Sequence, residues 1–140
     1  MPDPAVQHGR RYRAAQWQAI ATLSLTAALL LLPGSAFAAL ADWLALANTP
    51  APQVSGSDKF VHALLFGLCG LTSLRAWGDR RTHAVRTALA LALFAVATEA
   101  LQLWVPGRSA SLGDLVADLL GVLAGMGLGA WTMRSRPAAP

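Results

Sequence analysis

Apolar residues gather in four stretches along this chain, and short polar or turn-forming segments separate them. The first runs from Gln16 to Leu32 and ends in four consecutive leucines before Pro33 and Gly34. Proline and glycine punctuate helices, so the stretch stops there. The second runs from Phe60 to Trp77, the third from Thr87 to Val105, and the fourth from Leu112 to Trp131. Each has the length and apolar content of a membrane-crossing helix, although the first, at 17 residues, is near the lower limit. Between the first two, Ala36 to Ala47 is apolar but too short to cross, and it holds Trp43. That pattern suits an interfacial segment with the indole at headgroup depth. Asn48 to Ser57 is rich in Pro, Ser and Gly and is expected to be loop. Pro106 and Gly107 make the last turn.

Composition supports a membrane protein. Of 140 residues, 55% are hydrophobic and only 13% charged, against about 25% in soluble domains. The net charge of +4 is almost entirely arginine. A nucleic-acid partner is excluded because the arginines lie in short clusters between apolar runs, which is the pattern of membrane topology. The clusters are Arg10, Arg11 and Arg13 at the start; Arg75, Arg80, Arg81 and Arg86 between the second and third stretches; and Arg134 and Arg136 at the end. Placing all three on the cytoplasmic side gives a consistent four-crossing topology with both termini inside. The expected fold is therefore all-α: a polytopic membrane protein built as a four-transmembrane-helix bundle with both termini cytoplasmic. Residues 1–15 form a basic cytoplasmic segment without a fold signal, 16–133 the membrane domain, and 134–140 a cytoplasmic tail. The basic start, the apolar run and the small residues Ser35 to Ala39 also resemble a cleaved signal peptide. The run is long for a signal core, which favours a retained helix.

The topology brings the remaining polar residues to one level. Asp58, Lys59 and His62 open the second span, Glu99 and Gln102 close the third, Arg108 lies in the outer turn, and Asp114 and Asp118 open the fourth. Asp58 and His62 are four apart and share a helix face, as do Asp114 and Asp118. Glu99 lies about 10 Å below the turn at ~1.5 Å per residue, where a charge should face the bundle interior. The simplest packing gathers Asp58, His62, Glu99, Gln102, Arg108, Asp114 and Asp118 into one pocket beneath the outer surface. Ordinary structural roles are open to each of them. Arg108 can pair Glu99 or Asp114, His62 can bond Asp58, and Lys59 can snorkel to headgroups. Ser111 fits as a helix N-cap, with Asp114 at the third helical position. Cys69, the single cysteine, lies mid-span and suits packing. Ala117, Gly121, Gly125 and Gly129 repeat every four residues, a small-residue face for close helix contact within the bundle or in a homodimer.

These residues resemble the VanZ-like family, small bacterial membrane proteins named for a teicoplanin-resistance determinant. The resemblance rests on Asp58-Lys59-x-x-His62, Glu99-x-x-Gln102, Pro106-Gly107-Arg108 and Asp114-x-x-x-Asp118-x-x-Gly121, in that order, over residues 58 to about 129. One position departs from the family pattern: Asp118 stands where asparagine is usual, which adds a carboxylate. The resemblance implies a place in the cell envelope and a link to glycopeptide resistance.

Three functions fit this pattern. In the first, the outward pocket binds an anionic lipid-linked or headgroup-like ligand, such as a lipid-linked cell-wall precursor, through Asp58, Lys59, Gln102, Arg108, Asp114 and Asp118, with Arg108 and Lys59 on the phosphate or carboxylate. In the second, the protein is a membrane enzyme with Glu99 and His62 as candidate catalytic acid and base. In the third, the polar cluster specifies packing in a non-catalytic scaffold. No cofactor is expected. One histidine and several carboxylates have the donors for a divalent cation, but no zinc-type spacing occurs, so no metal site is expected either.

Overall fold

The computed structural model describes residues 4–36, 39, 57–78 and 81–135. It holds four long helices: α1 (Pro4–Leu30), α2 (Ser57–Trp77), α3 (Arg81–Gln102) and α4 (Leu112–Arg134). Among the described residues there is no strand. The expected interfacial segment from Ala36 to Ala47 and the loop after it fall outside the described residues, apart from Ala36, Ala39 and Ser57.

Helices α2, α3 and α4 are each long and apolar enough to cross a membrane. Helix α1 is longer, at 27 residues, but is not among these three. It begins at Pro4, inside the basic segment that carries no apolar signal. Proline is tolerated in the first helical turn, and the alanines, glutamines and arginines that follow are good helix formers. At its other end α1 stops at Leu30, short of the expected Leu32. With Gln16 and Gln18 inside it, the part from Ala19 to Leu30, which still holds Thr22, Ser24 and Thr26, rises only about 18 Å, against ~30 Å of hydrocarbon.

The third span also shifts. Helix α3 starts at Arg81, before the expected Thr87, because polar residues of good propensity extend it beyond its apolar part. It ends at Gln102, not Val105. Leu103, Trp104 and Val105 donate to Ala100, Leu101 and Gln102 in tighter turns, at 3.3, 3.0 and 3.1 Å. Pro106 disfavours helix at the residue before it. Arg108 N–H donates to the Val105 carbonyl at 3.1 Å, and Gly107 has φ +76°. Val105 to Arg108 is thus a turn with Pro at its second position and Gly at its third, where positive φ favours glycine.

Helices α2 and α4 run parallel and make the most extensive contact in the bundle. Their small residues meet. A Cβ on Gly121 would overlap the Ala63 carbonyl oxygen, and one on Gly125 would overlap that of Gly67. The small-residue face of α4 therefore serves the bundle, and α2 answers it with small residues of its own. At the far end Arg75 Nη2 donates to Thr132 Oγ1 at 3.1 Å. Helices α1 and α3 run in the opposite sense. The hydroxyl of Thr26 lies 3.3 Å from Cys69 Sγ, and Gln102 Nε2 donates to the Leu30 carbonyl at 3.1 Å.

The core between the helices is formed by Leu30, Phe66, Cys69, Leu91, Ala95 and Val122. The Phe66 and Phe94 rings lie 5.5 Å apart, tilted by 44°. Leu64, Leu93, Leu120 and Leu123 point outward and are exposed, which suits a bundle whose solvent is lipid. This arrangement sets the C-terminal ends of α1 and α3 beside the N-terminal ends of α2 and α4.

Gly125→Val would force a side chain against the α2 backbone. We expect a loss of about 1–3 kcal/mol, typical of overpacking, read as a lower thermal midpoint in detergent. Gly127, whose Cβ would meet nothing within 4 Å, provides the control: Gly127→Ala should leave the midpoint unchanged or raise it.

Candidate functional site

The polar residues at this common end divide into three groups, each held by a different pair of elements. The first closes α1. A helix end leaves carbonyls without intrahelical partners, and in an apolar setting each needs a donor. Arg108 Nε donates to the Leu32 carbonyl at 3.1 Å and Nη2 to that of Leu29 at 3.2 Å. Gln102 supplies the Leu30 carbonyl, and Gly34 N–H donates to the Pro106 carbonyl at 3.2 Å. The turn after α3 thus clamps the end of α1. These contacts differ from the expected pairing of Arg108 with Glu99 or Asp114. They were traceable in principle, because a helix stopped by Pro33 and Gly34 needs donors at the level where Gln102 and Arg108 lie.

The second group lies at the mouth. Lys59 Nζ is 3.4 Å from Asp114 Oδ1 and 3.8 Å from Asp58 Oδ2. Asp58 also accepts from Lys59 N–H at 2.9 Å. Asp58 and Lys59 are exposed, whereas Asp114 is buried. Asp58 sits on the exposed first turn of α2, and the expected bond from His62 to Asp58 gives way to one between helices.

That bond belongs to the third group. His62 Nδ1 lies 3.0 Å from Asp118 Oδ1 and 3.7 Å from Glu99 Oε1. Helices α2, α4 and α3 contribute one residue each. His62 is 5% exposed, Glu99 6% and Asp118 0%. Donor atoms of the three side chains all lie within 4.8 Å of one another. Close approach of α2 and α4 places His62 against Asp118, one turn above the contact of Ala63 with Gly121.

Ser111 joins the third group to the start of α4. Its backbone is extended (φ −137°, ψ 128°), and its hydroxyl accepts from Gly113 N–H at 3.1 Å, the geometry of an N-cap. In a capping box the acid at the third helical position accepts from the cap's own N–H. Here Asp114 holds that position but pairs with Lys59. Glu99 Oε2, from α3, accepts from Ser111 N–H instead, at 2.8 Å. No helical spacing signals this contact.

Saturation sets the first group apart from the other two. Glu99 Oε1 and Asp118 Oδ2 are buried and have no hydrogen-bond partner, as is Asp114 Oδ1, which has only the ion pair with Lys59. Chemically, the third group offers an imidazole oriented by one carboxylate, beside a second carboxylate with an open oxygen. Those are the parts of an acid–base centre or of a cation site.

Comparison with known proteins agrees with the resemblance carried by these residues. The model of the family described as VanZ/LLP1 matches residues 8–133, nearly the whole chain, and the chain belongs to that family. No curated protein and no solved structure matches it.

Arg108→Ala should leave the Leu29 and Leu32 carbonyls short of donors and cost about 1–3 kcal/mol. Lys59→Ala removes a half-exposed ion pair and should cost under ~1 kcal/mol. Thermal denaturation of the two variants in the same detergent tests the order. A Lys59 variant as unstable as the Arg108 variant would contradict this assignment.

Proposed function

From its place in the VanZ/LLP1 family, we propose that this protein crosses the bacterial cytoplasmic membrane four times, with both termini inside, and acts at the outer leaflet. Its ligand is a lipid-linked cell-wall precursor or a similar headgroup, and its physiological context is the cell envelope, including the response to teicoplanin. The fourth crossing is α1, completed by Leu31 and Leu32 beyond the helix proper. The positive-inside pattern and the clamp on the α1 end by Gln102 and Arg108 support it.

The observation that carries the functional reading is the unsaturated centre of His62, Glu99 and Asp118. Ionisable side chains between apolar helices are costly, and they mark functional positions by default. Carboxylate oxygens left open there are the part of the arrangement that packing alone does not require. Asp118 holds the His62 ring, and Glu99 Oε1 is the open group of the pair. In this reading Glu99 and His62 exchange protons with a hydroxyl or phosphate group of the bound headgroup. Lys59, exposed at the mouth, attracts the anionic part of the ligand.

A second reading keeps the binding and drops the chemistry: Lys59 and the mouth carboxylates hold an anionic headgroup, and the buried centre shapes the pocket. The exposed Lys59 ammonium favours it.

Glu99→Gln and His62→Gln keep shape and hydrogen-bonding capacity. Acid–base work requires both variants to accumulate normally, and to lose the effect of the wild-type chain on teicoplanin susceptibility in a family-null host. Full activity of stable Glu99→Gln protein would remove the acid–base reading and leave the binding one. Loss of stability in step with activity would favour a scaffold.

Reporter fusions check the topology separately. Fusions at both ends should be active only in the cytoplasm. A periplasmic signal from the N-terminal fusion would reduce the crossings to three.

A further inference from the structure

We propose that His62, Glu99 and Asp118 bind one divalent first-row metal ion of the zinc class. This rests on the reading of the same centre as the working site, and it names what fills it.

Geometry is the first argument. Two ligands about 2.1 Å from one ion stand roughly 3.0–3.4 Å apart in octahedral or tetrahedral arrangement. His62 Nδ1 is 3.0 Å from Asp118 Oδ1 and 3.7 Å from Glu99 Oε1, and all three side chains offer a donor atom within 4.8 Å of the others. The two His62 distances lie within a few tenths of an ångström of that range, and closing the remaining separation, bounded by 4.8 Å, brings both carboxylates around an ion.

Satisfaction is the second. Glu99 Oε1 and Asp118 Oδ2 have no hydrogen-bond partner, although Glu99 is only 6% exposed and Asp118 fully buried. Such orphaned acceptors are rare in native interiors and call for an explanation. A cation supplies one.

Charge is the third. The set holds two carboxylates and one imidazole. A protonated imidazole balances one carboxylate, whereas a divalent ion balances both in a place where net charge is costly. The ion takes the place of the extra proton of an imidazolium, so protons compete with it and affinity falls as pH falls.

Donor type then narrows the ion. One imidazole nitrogen with carboxylate oxygens suits zinc or manganese better than magnesium or calcium, which prefer oxygen alone. Glu99 Oε2 is already held by Ser111 N–H at 2.8 Å, an outer contact of the kind that orients a metal ligand. Three protein ligands leave a coordination position for an oxygen of water or of the headgroup, as in zinc sites that act on substrates.

The test uses the full, tag-free chain in detergent or nanodiscs. Wild-type protein is loaded with Zn²⁺, desalted and analysed for metal per chain. Co²⁺ is added separately as a spectroscopic probe. The expected result is one ion per chain, visible Co²⁺ bands displaced by Zn²⁺, and a thermal midpoint raised by Zn²⁺ and restored by chelator. Asp118→Asn and Glu99→Gln should each weaken binding by more than the ~10–100-fold that outer-shell partners cost, while circular dichroism stays helical. The wild-type spectrum, displacement and chelator response stand even if a variant fails to fold.

Folded wild-type protein that retains no stoichiometric ion and shows no Co²⁺ bands would overturn the proposal. So would Zn²⁺ binding unchanged in both variants. The two readings separate cleanly. Stable but inactive Glu99→Gln protein, beside wild type that binds no ion, keeps the acid–base centre and removes the metal. An ion that binds wild type, beside variants that keep activity, keeps the metal site and removes its role in function.

Discussion

The close approach of α2 and α4 is the constraint on which the rest of this structure depends. With Gly121 against Ala63 and Gly125 against Gly67, two parallel helices touch through backbone rather than side chains. Lipid tails are as apolar as leucine, so association inside a bilayer relies on such packing contacts and on interhelical polar bonds. The contact does more than hold the helices. It fixes their rotation and register, and so brings His62 to 3.0 Å from Asp118, across 56 positions of sequence. A bulkier α4 face would move the two helices apart and break the pair.

From that fixed pair the other polar contacts follow in order of depth. Helix α3 returns between the parallel helices' ends and delivers Glu99 to the same centre. One Glu99 oxygen caps the backbone of Ser111, which ties the start of α4 to the end of α3. The turn beyond α3 carries Arg108 to the end of α1. Lys59 and Asp114 pair nearer the surface. One polar layer therefore joins all four helices, and each of its contacts meets a requirement that an apolar medium makes strict: free carbonyls need donors, and buried charges need partners.

Much of this was legible in the sequence, and the boundary of legibility has a physical meaning. Hydropathy located α2, α3 and α4, because a bilayer imposes length and composition on each span independently. Ser111 was visible as a cap because capping is local. The glycine face of α4 was visible because helical periodicity is local. The polar residues could also be placed at one end, since topology fixes level. What spacing within a helix leaves open is the rotation of one helix against another. Asp58 shares a face with His62 by spacing, yet His62 pairs with Asp118. Arg108 lies at the level of Glu99 and Asp114, yet its guanidinium serves carbonyls of α1. The start of α1 at Pro4 was hidden for a different reason: helix propensity in a polar segment leaves no hydropathy signal.

Saturation is what separates architecture from function in this layer. If all its polar residues served only packing, selection for stability would complete their hydrogen bonds, since a half-satisfied buried network is worse than an apolar core. The clamp on α1 and the cap on α4 look like such completed work, with donors set against carbonyls and an acceptor set against Ser111 N–H. The centre of His62, Glu99 and Asp118 is built on the same helices, under the same constraints, and stays open at two carboxylate oxygens. Asp118 makes the contrast sharpest. An amide there could still meet the imidazole without burying a charge, so a fully buried carboxylate with one oxygen unbonded is a poor choice for packing. It is a sound choice for a centre that must bind or exchange something positively charged, whether a proton or a metal ion.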